Sequence, residues 1–360
     1  MTSAAGAAVL GARLRLFPPS GHSFVAPSGQ SRVGGAPRTG ARGRDVIGGH
    51  KLRAVGKSKR NSPKPDSNRA QRLAERRAAQ EQASAVVTRP FEGLAAECDL
   101  VALREFVPSA TATLKLAPGV AAQREVTLAT VLPGAVAALV RAGDEPVGFV
   151  GTQMQFRGAD PSADIAAAIL WTQSAEPGES LTAPETVEGG PRLADVIDPG
   201  ADLELTVHQD FDWWVPEGVT PDPQVAATIE QAKQAIMPSA RLDLGADGVG
   251  AAWWVDAGEK AHVRWVRPED EDALMLALAR VHAAGGLHMG EGSRFAGSFR
   301  THGVLVPVFD LDPERHPTEW EAPAREFGAR LAEALASDVP MTSEERRSRD
   351  GLRSRQVTLR

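Results

Sequence analysis

Gly290-Glu291-Gly292-Ser293-Arg294-Phe295-Ala296-Gly297-Ser298-Phe299-Arg300-Thr301-His302-Gly303-Val304-Leu305-Val306-Pro307-Val308-Phe309-Asp310-Leu311 reads as two strands joined by a tight turn. Phe295 to Arg300 is the first strand and Val304 to Leu311 the second. Thr301-His302-Gly303 joins them, because Gly303 accepts a positive φ without a Cβ clash. Alternation puts Arg294, Ala296, Ser298, Arg300 and His302 on one face, and Phe295, Gly297, Phe299 and Thr301 on the other. Val304 to Phe309 is nearly all apolar, so that strand is expected to be buried on both faces. Pro307 lacks an N–H and calls for a bulge or an edge position.

This stretch also carries the densest candidate chemistry. Gly290 and Gly292 would let backbone N–H groups approach a small anion, with Arg294 and Arg300 as cationic clamps. Glu291, His302 and Asp310 are acid/base candidates. The competing reading is a glycine-permitted turn whose arginines pair along a sheet face, and the motif does not separate the two.

Outward from the hairpin, short strands alternate with helices. Strands are expected over Thr111–Ala117, Glu125–Leu132, Val147–Gln155, Ser239–Leu244, Gly250–Asp256 and Ala261–Val266, with a short helix over Gly134–Arg141. Helices are expected over Glu97–Phe106, Ser162–Ser174, Arg192–Ile197, Asp222–Met237, Glu269–Ala284 and Ala322–Ala336. Thr342-x-x-Glu345 is a capping box for a last short helix. Leu203 to Trp214 alternates apolar and polar, which reads as a strand. His208-x-Asp210-x-Asp212 on one of its faces could bind a divalent cation, or could be its solvated side. Trp253, Trp254 and Trp265 fit a stacking platform or a set of core pairs. A faint repeat places Val107-Pro108-Ser109-Ala110 and Met237-Pro238-Ser239-Ala240 ahead of strands and points to two similar halves. The expectation is α+β, with mixed or antiparallel sheets and packed helices. The expected division is a tail over 1–88, halves over 89–190 and 191–341, and a short C-terminal helix and tail over 342–360.

With Arg89-Pro90-Phe91-Glu92-Gly93-Leu94, Glu97-Cys98-Asp99, Ala102-Leu103-Arg104-Glu105, Val107-Pro108-Ser109-Ala110 and the closing Arg355-Gln356-Val357-Thr358-Leu359, the hairpin resembles an actinobacterial family catalogued as domain of unknown function 5926. The resemblance covers about residues 89–360 and implies no particular reaction. Relatives include chains with a short zinc-binding SEC-C module ahead of the shared body. This chain has a single cysteine, Cys98, and departs from them there.

The chain has 360 residues, 42% of them hydrophobic, enough for a sizeable core. One cysteine leaves no internal disulfide and suits a cytoplasmic protein. No apolar run has the ~18 residues of a membrane span, and no basic region precedes Ala4–Gly11, so neither membrane nor signal peptide is expected. The formal charge of −6 hides an asymmetry: residues 1–88 hold 16 Lys and Arg against 4 Asp and Glu, and the remainder 24 against 42. Residues 1–66 lack periodicity and are expected to be disordered. Val55 reads as an alternative natural start, which would leave 1–54 untranslated. Over 67–84 good helix formers predict a helix carrying Arg69, Arg72, Arg76 and Arg77, a candidate surface for RNA, the ribosome or another polyanion, or else a solvated tail.

G-x-S-x-G, H-E-x-x-H, G-x-G-x-x-G, Walker and C-x-x-C motifs are absent from the sequence. No metal or cofactor is implied. Two functional expectations remain. One is a non-catalytic binding or adaptor protein with a polyanion-seeking basic tail. The other is an enzyme acting on a small anionic substrate at the 290–311 hairpin.

Overall fold

The computed structural model describes residues 87–358, apart from Glu217 and Asp222. The expected basic tail, its helix over 67–84 and Arg69, Arg72, Arg76 and Arg77 lie outside the described residues. The described residues fall within one compact unit. The fold is α+β. In chain order it runs α1 (Glu97–Glu105), β1 (Ala110–Thr113), β2 (Val126–Ala129), β3 (Ala138–Arg141), β4 (Val147–Gly151), α2 (Pro161–Ser174), β5 (Ser180–Leu181), α3 (Leu193–Val196) and β6 (Thr206–Val207). Then follow α4 (Pro223–Lys233), β7 (Ser239–Arg241), β8 (Ala251–Asp256), β9 (Ala261–Val266), α5 (Glu271–Ala283), β10 (Ser293–Thr301), β11 (Val304–Leu311), α6 (Glu321–Leu335), α7 (Ser343–Arg353) and β12 (Gln356–Thr358).

The strands form two mixed six-stranded sheets, β5-β3-β4-β2-β1-β6 and β12-β10-β11-β9-β8-β7. Each contains one parallel pair, β2 with β4 and β10 with β12. The Pro-Ser-Ala segments lead into β1 and β7, and each of these pairs antiparallel with the next strand. An inner apolar layer joins α1, α2 and α3 to one face of both sheets, through Val126, Leu128 and Val150 on one side and Trp253, Val306 and Val308 on the other. An outer layer holds α5 and α6 on the opposite face of the second sheet, through Leu274, Leu278, Phe309 and Phe327. Helix starts follow their caps. Asp160 accepts from the Ser162 N–H, Asp270 from the Asp272 and Ala273 N–H groups, and Thr342 and Glu345 close the capping box of α7.

The hairpin turn is as read: His302 and Gly303 carry φ of 47° and 76°, and Thr301 faces Val304 in the last pair. Such a two-residue turn matches strand twist. The face assignment needs correction. A β-bulge between Phe295 and Gly297 inserts Ala296 and shifts the register by one residue. Phe295 therefore packs on Phe309 in the outer layer, while Phe299 packs edge-on to Phe106 in the inner layer. The two phenylalanines lie on opposite faces, and so do Arg294 and Arg300. Pro307 is not at an edge, since β11 lies between β10 and β9. It faces Ser298, just past the bulge on the neighbouring strand.

Two further expectations are corrected. Gly134 and Ala135 take φ of 69° and 52°, which ends any helix after a 3-10 turn over Pro133–Ala135, and Ala138–Arg141 is a strand. Leu203–Trp214 is not one strand. The Asp210 side chain accepts from the Asp212 N–H at 3.0 Å, bending the chain so that Phe211 is buried and Asp212–Trp214 forms a 3-10 turn. Trp253, Trp254 and Trp265 are buried core residues, so they offer no stacking platform.

Candidate functional site

The 290–311 residues are spread over separate interactions. Arg294 reaches Asp310 at 2.7 Å, on the inner face, where Lys260 and His262 Nδ1 lie 3.2 and 3.1 Å from the same carboxylate. The His262 contact, then Arg294 and Lys260, hold the Asp310 carboxyl well below the usual carboxylate range against the effect of burial. Arg300 pairs with Glu271 at the start of α5, on the outer face, and Gln356 donates to the same oxygen at 2.7 Å. His302 lies at the far turn, its Nε2 2.9 Å from Glu105 at the end of α1. Asp310 is eight residues along the hairpin from His302, about 26 Å at strand rise. The Gly290 N–H donates to His288 Nδ1 at 2.9 Å, and the Gly292 carbonyl accepts from the Asp312 N–H at 2.9 Å. Glu291 is exposed.

The residues of His208-x-Asp210-x-Asp212 also part. Asp210 makes the turn just described, Asp212 pairs with Lys233 at 2.8 Å, and His208 Nε2 sits 2.8 Å from the Thr111 hydroxyl. Among the described residues no three His, Cys, Asp or Glu side chains are placed to hold a metal ion.

A different site is built on the first sheet. On the face turned away from the inner layer, register puts Thr206 beside Thr111, Thr113 beside Thr127, and Thr127 beside Phe149. Arg141 ends β3 on the same face. The chain turns back over one end of it at Asp212–Trp214 and leaves a cleft of about 660 Å³. Phe149, Trp213 and His208 stack there, with centroids 6.3 and 5.6 Å apart and planes 23° and 28° from parallel. Trp213 is fixed by its Nε1 donating to Ser109 Oγ at 2.9 Å, and Ser109 in turn donates to the Asp210 carbonyl at 2.7 Å.

The Arg141 guanidinium lies 4.1 Å over the Phe149 ring and donates to the Trp213 carbonyl at 2.7 Å. It has no carboxylate partner among the described residues, and burial pulls its pKa down from the usual value. It remains cationic at neutral pH all the same. Burial likewise lowers the His208 pKa, against the pull of Asp210, so that ring is neutral at pH 7. Lys115, Asp202 and Glu204 stand exposed at the cleft's rim. One half-buried cation, the four hydroxyls of Thr111, Thr113, Thr127 and Thr206 and an aromatic wall can hold a flat ligand by one anionic end.

A family model covers residues 90–360. The chain belongs to the family of unknown function DUF5926. No curated protein and no solved structure matches it. No helix among the described residues is long and apolar enough to cross a membrane. In this DUF5926 chain the cleft is poorly marked in the sequence. Its best signal was the polar alternation of Thr111 and Thr113 with Ala112 and Leu114. Arg141 was hidden because residues 134–141 read as a helix, whose faces are not those of a strand.

Proposed function

We propose that this DUF5926 chain is a non-catalytic binding protein whose cleft beside Arg141 takes a small ligand bearing a carboxylate or phosphate group. The observation that carries the reading is the Arg141 guanidinium itself. It is half-buried, seated on Phe149 and free of any acid partner among the described residues. A cation in that setting gains from an anion more than an exposed one does, because less solvent screens it. The cleft supports binding over chemistry, because the Thr111–His208 hydroxyl–imidazole pair lacks an orienting acid among the described residues: Asp210, whose charge acts on His208, is spent on its own turn. The 290–311 hairpin supports an anionic substrate less well, since Arg294, Arg300 and His302 face three different surroundings. Calorimetric titration of aromatic and aliphatic carboxylates and phosphates tests the proposal. Arg141→Met should weaken the best ligand roughly 10- to 150-fold, the worth of about 1.5–3 kcal/mol in a charge-assisted hydrogen bond. Equal affinity in both proteins, or no binding across the panel, rejects it.

A second reading, an adaptor role for a cytoplasmic protein, draws on the charge split alone. Residues 1–88 carry net +12 and the rest net −18. A basic arm of that density would seek RNA, the ribosome or another polyanion through Arg69, Arg72, Arg76 and Arg77. RNA affinity should then fall by about 0.7 log units per log unit of salt for each phosphate contact. A residue 55–88 peptide that shows no salt-dependent RNA binding removes this reading.

A further inference from the structure

The inner face of the second sheet carries an arginine that the cleft does not use. Arg264 on β9 is 3% exposed and stands opposite Trp253 on β8 and Val308 on β11. Its guanidinium lies 5.4 Å from the Phe106 ring centroid. It makes no hydrogen bond and no ion pair with any described residue, and its enclosed Nε has no acceptor. Burial pushes its pKa down to about 10, which still leaves it charged at pH 7. Trp253 is fully buried on the same face, and its indole N–H also lacks an acceptor.

Two enclosed donors, one of them charged, thus share one face without an acceptor among the described residues. A cation–π contact of about 2 kcal/mol does not offset the several kcal/mol of desolvating an unpaired charge. Nor do the described acids of α1 and β11 supply the counter-charge. Asp99 holds Arg241, Glu97 holds Arg89, Glu105 holds His302, and Asp310 holds His262, Arg294 and Lys260. We propose that Arg264 and Trp253 hold a small monovalent anion of chloride size in the layer between α1 and the second sheet. The small size follows from enclosure, since a side chain exposed by 3% leaves no room for a phosphate and its hydration. The anion accepts from the guanidinium and the indole N–H together and neutralises a charge that has no partner among the described residues.

The test is thermal unfolding of the full chain in sodium chloride, bromide and gluconate at constant ionic strength. Each tenfold rise in chloride or bromide above its Kd should multiply the folded-to-unfolded ratio by about ten. For a chain of this size that is a Tm rise of roughly 2–3 °C. Gluconate should give none. Arg264→Met should abolish the halide dependence, while Arg294→Met, at an exposed arginine, should keep it. Identical Tm values in chloride and gluconate, or a halide dependence that survives Arg264→Met, overturn the proposal. Should Arg264→Met fail to fold, crystals of the natural protein grown in bromide decide the matter. An anomalous peak beside Arg264 Nε supports the site, and its absence with Arg264 ordered overturns it.

Discussion

Replacing Asp310 by Asn tests whether the hairpin's carboxylate is a structural hub. The side chain is 16% exposed and receives His262, Arg294 and Lys260. These contacts are unequal. Arg294 is 74% exposed and Lys260 36%, so each contributes about 0–1 kcal/mol. His262 is 11% exposed and its Nδ1 lies 3.1 Å from the carboxylate, a close polar contact with a charged group that contributes about 1.5–3 kcal/mol. Asp310→Asn keeps the shape and removes the charge, so the expected loss is about 2–4 kcal/mol, a Tm drop of roughly 3–7 °C. The pH dependence supplies the second half of the test. The folded pKa of Asp310 is depressed, so its contribution is present above the unfolded value near 3.9 and is lost as pH falls through the folded value. Urea unfolding followed by tryptophan fluorescence should show the full gap between the two proteins at pH 7. That gap should narrow below about pH 4. A variant within about 0.5 kcal/mol of the natural protein at pH 7 would refute the reasoning, because that is the range of an unengaged surface position. So would a gap that stays constant down to pH 3.

Three further outcomes are expected. Cys98 is buried, and desolvation with the neighbouring Glu97 and Asp99 pushes its pKa up to about 12, so the native protein should not react with Ellman's reagent at pH 8 while the denatured chain reacts fully. Gly250→Ala should cost about 2–5 kcal/mol in urea unfolding. Its φ is +81° and an added Cβ would sit 2.2 Å from the Val266 carbonyl oxygen, a backbone atom that cannot swing aside. Burial depresses the His208 pKa, so its contribution to stability is full above about pH 6.5 and is lost as pH falls through the folded value. His208→Gln should flatten the acid side of the stability–pH curve in that window, and an unchanged curve would contradict the burial assigned to the ring.

What the sequence made legible followed from local chemistry. Val304–Leu311, the His302-Gly303 turn and the Thr342 capping box declare themselves by apolar run, left-handed tolerance and cap spacing, and the structure has each of them. The bulge at Ala296 was not legible. One inserted residue leaves composition and alternation almost unchanged, yet it exchanges the faces of everything beyond it. The clamp expected from Arg294 and Arg300 depended on that phase. Leu203–Trp214 misled for a similar reason. Its alternation is real as far as Val207, and a side chain bonding to the backbone two residues on then ends it. The cleft lay further out of reach. Thr111, Thr127, Arg141, Phe149 and Trp213 come from five segments, and β2 with β4 is a parallel pair that crosses over an intervening strand.

The two arginines singled out here gain meaning from the rest of the charge distribution. Outside residues 1–88 the chain holds 42 acids against 24 Lys and Arg, so carboxylates are not scarce. Arg89, Arg192, Arg241, Arg267, Arg294, Arg300, Arg325 and Arg353 each have one within ion-pair distance. Several of these, such as Arg353 and Arg294, are well exposed and gain little from the pairing. Arg141 and Arg264 are the ones for which a partner would matter most, because each is withdrawn from water, and neither has an acid partner among the described residues. An acid-rich surface also repels anions at long range. An anion reaching either arginine therefore has to be held by short-range contacts: Phe149, Trp213 and the threonines in the cleft, and the Trp253 indole beneath α1. Replacing those neutral neighbours should change affinity with little change in its salt dependence, whereas Arg141→Met and Arg264→Met should change both.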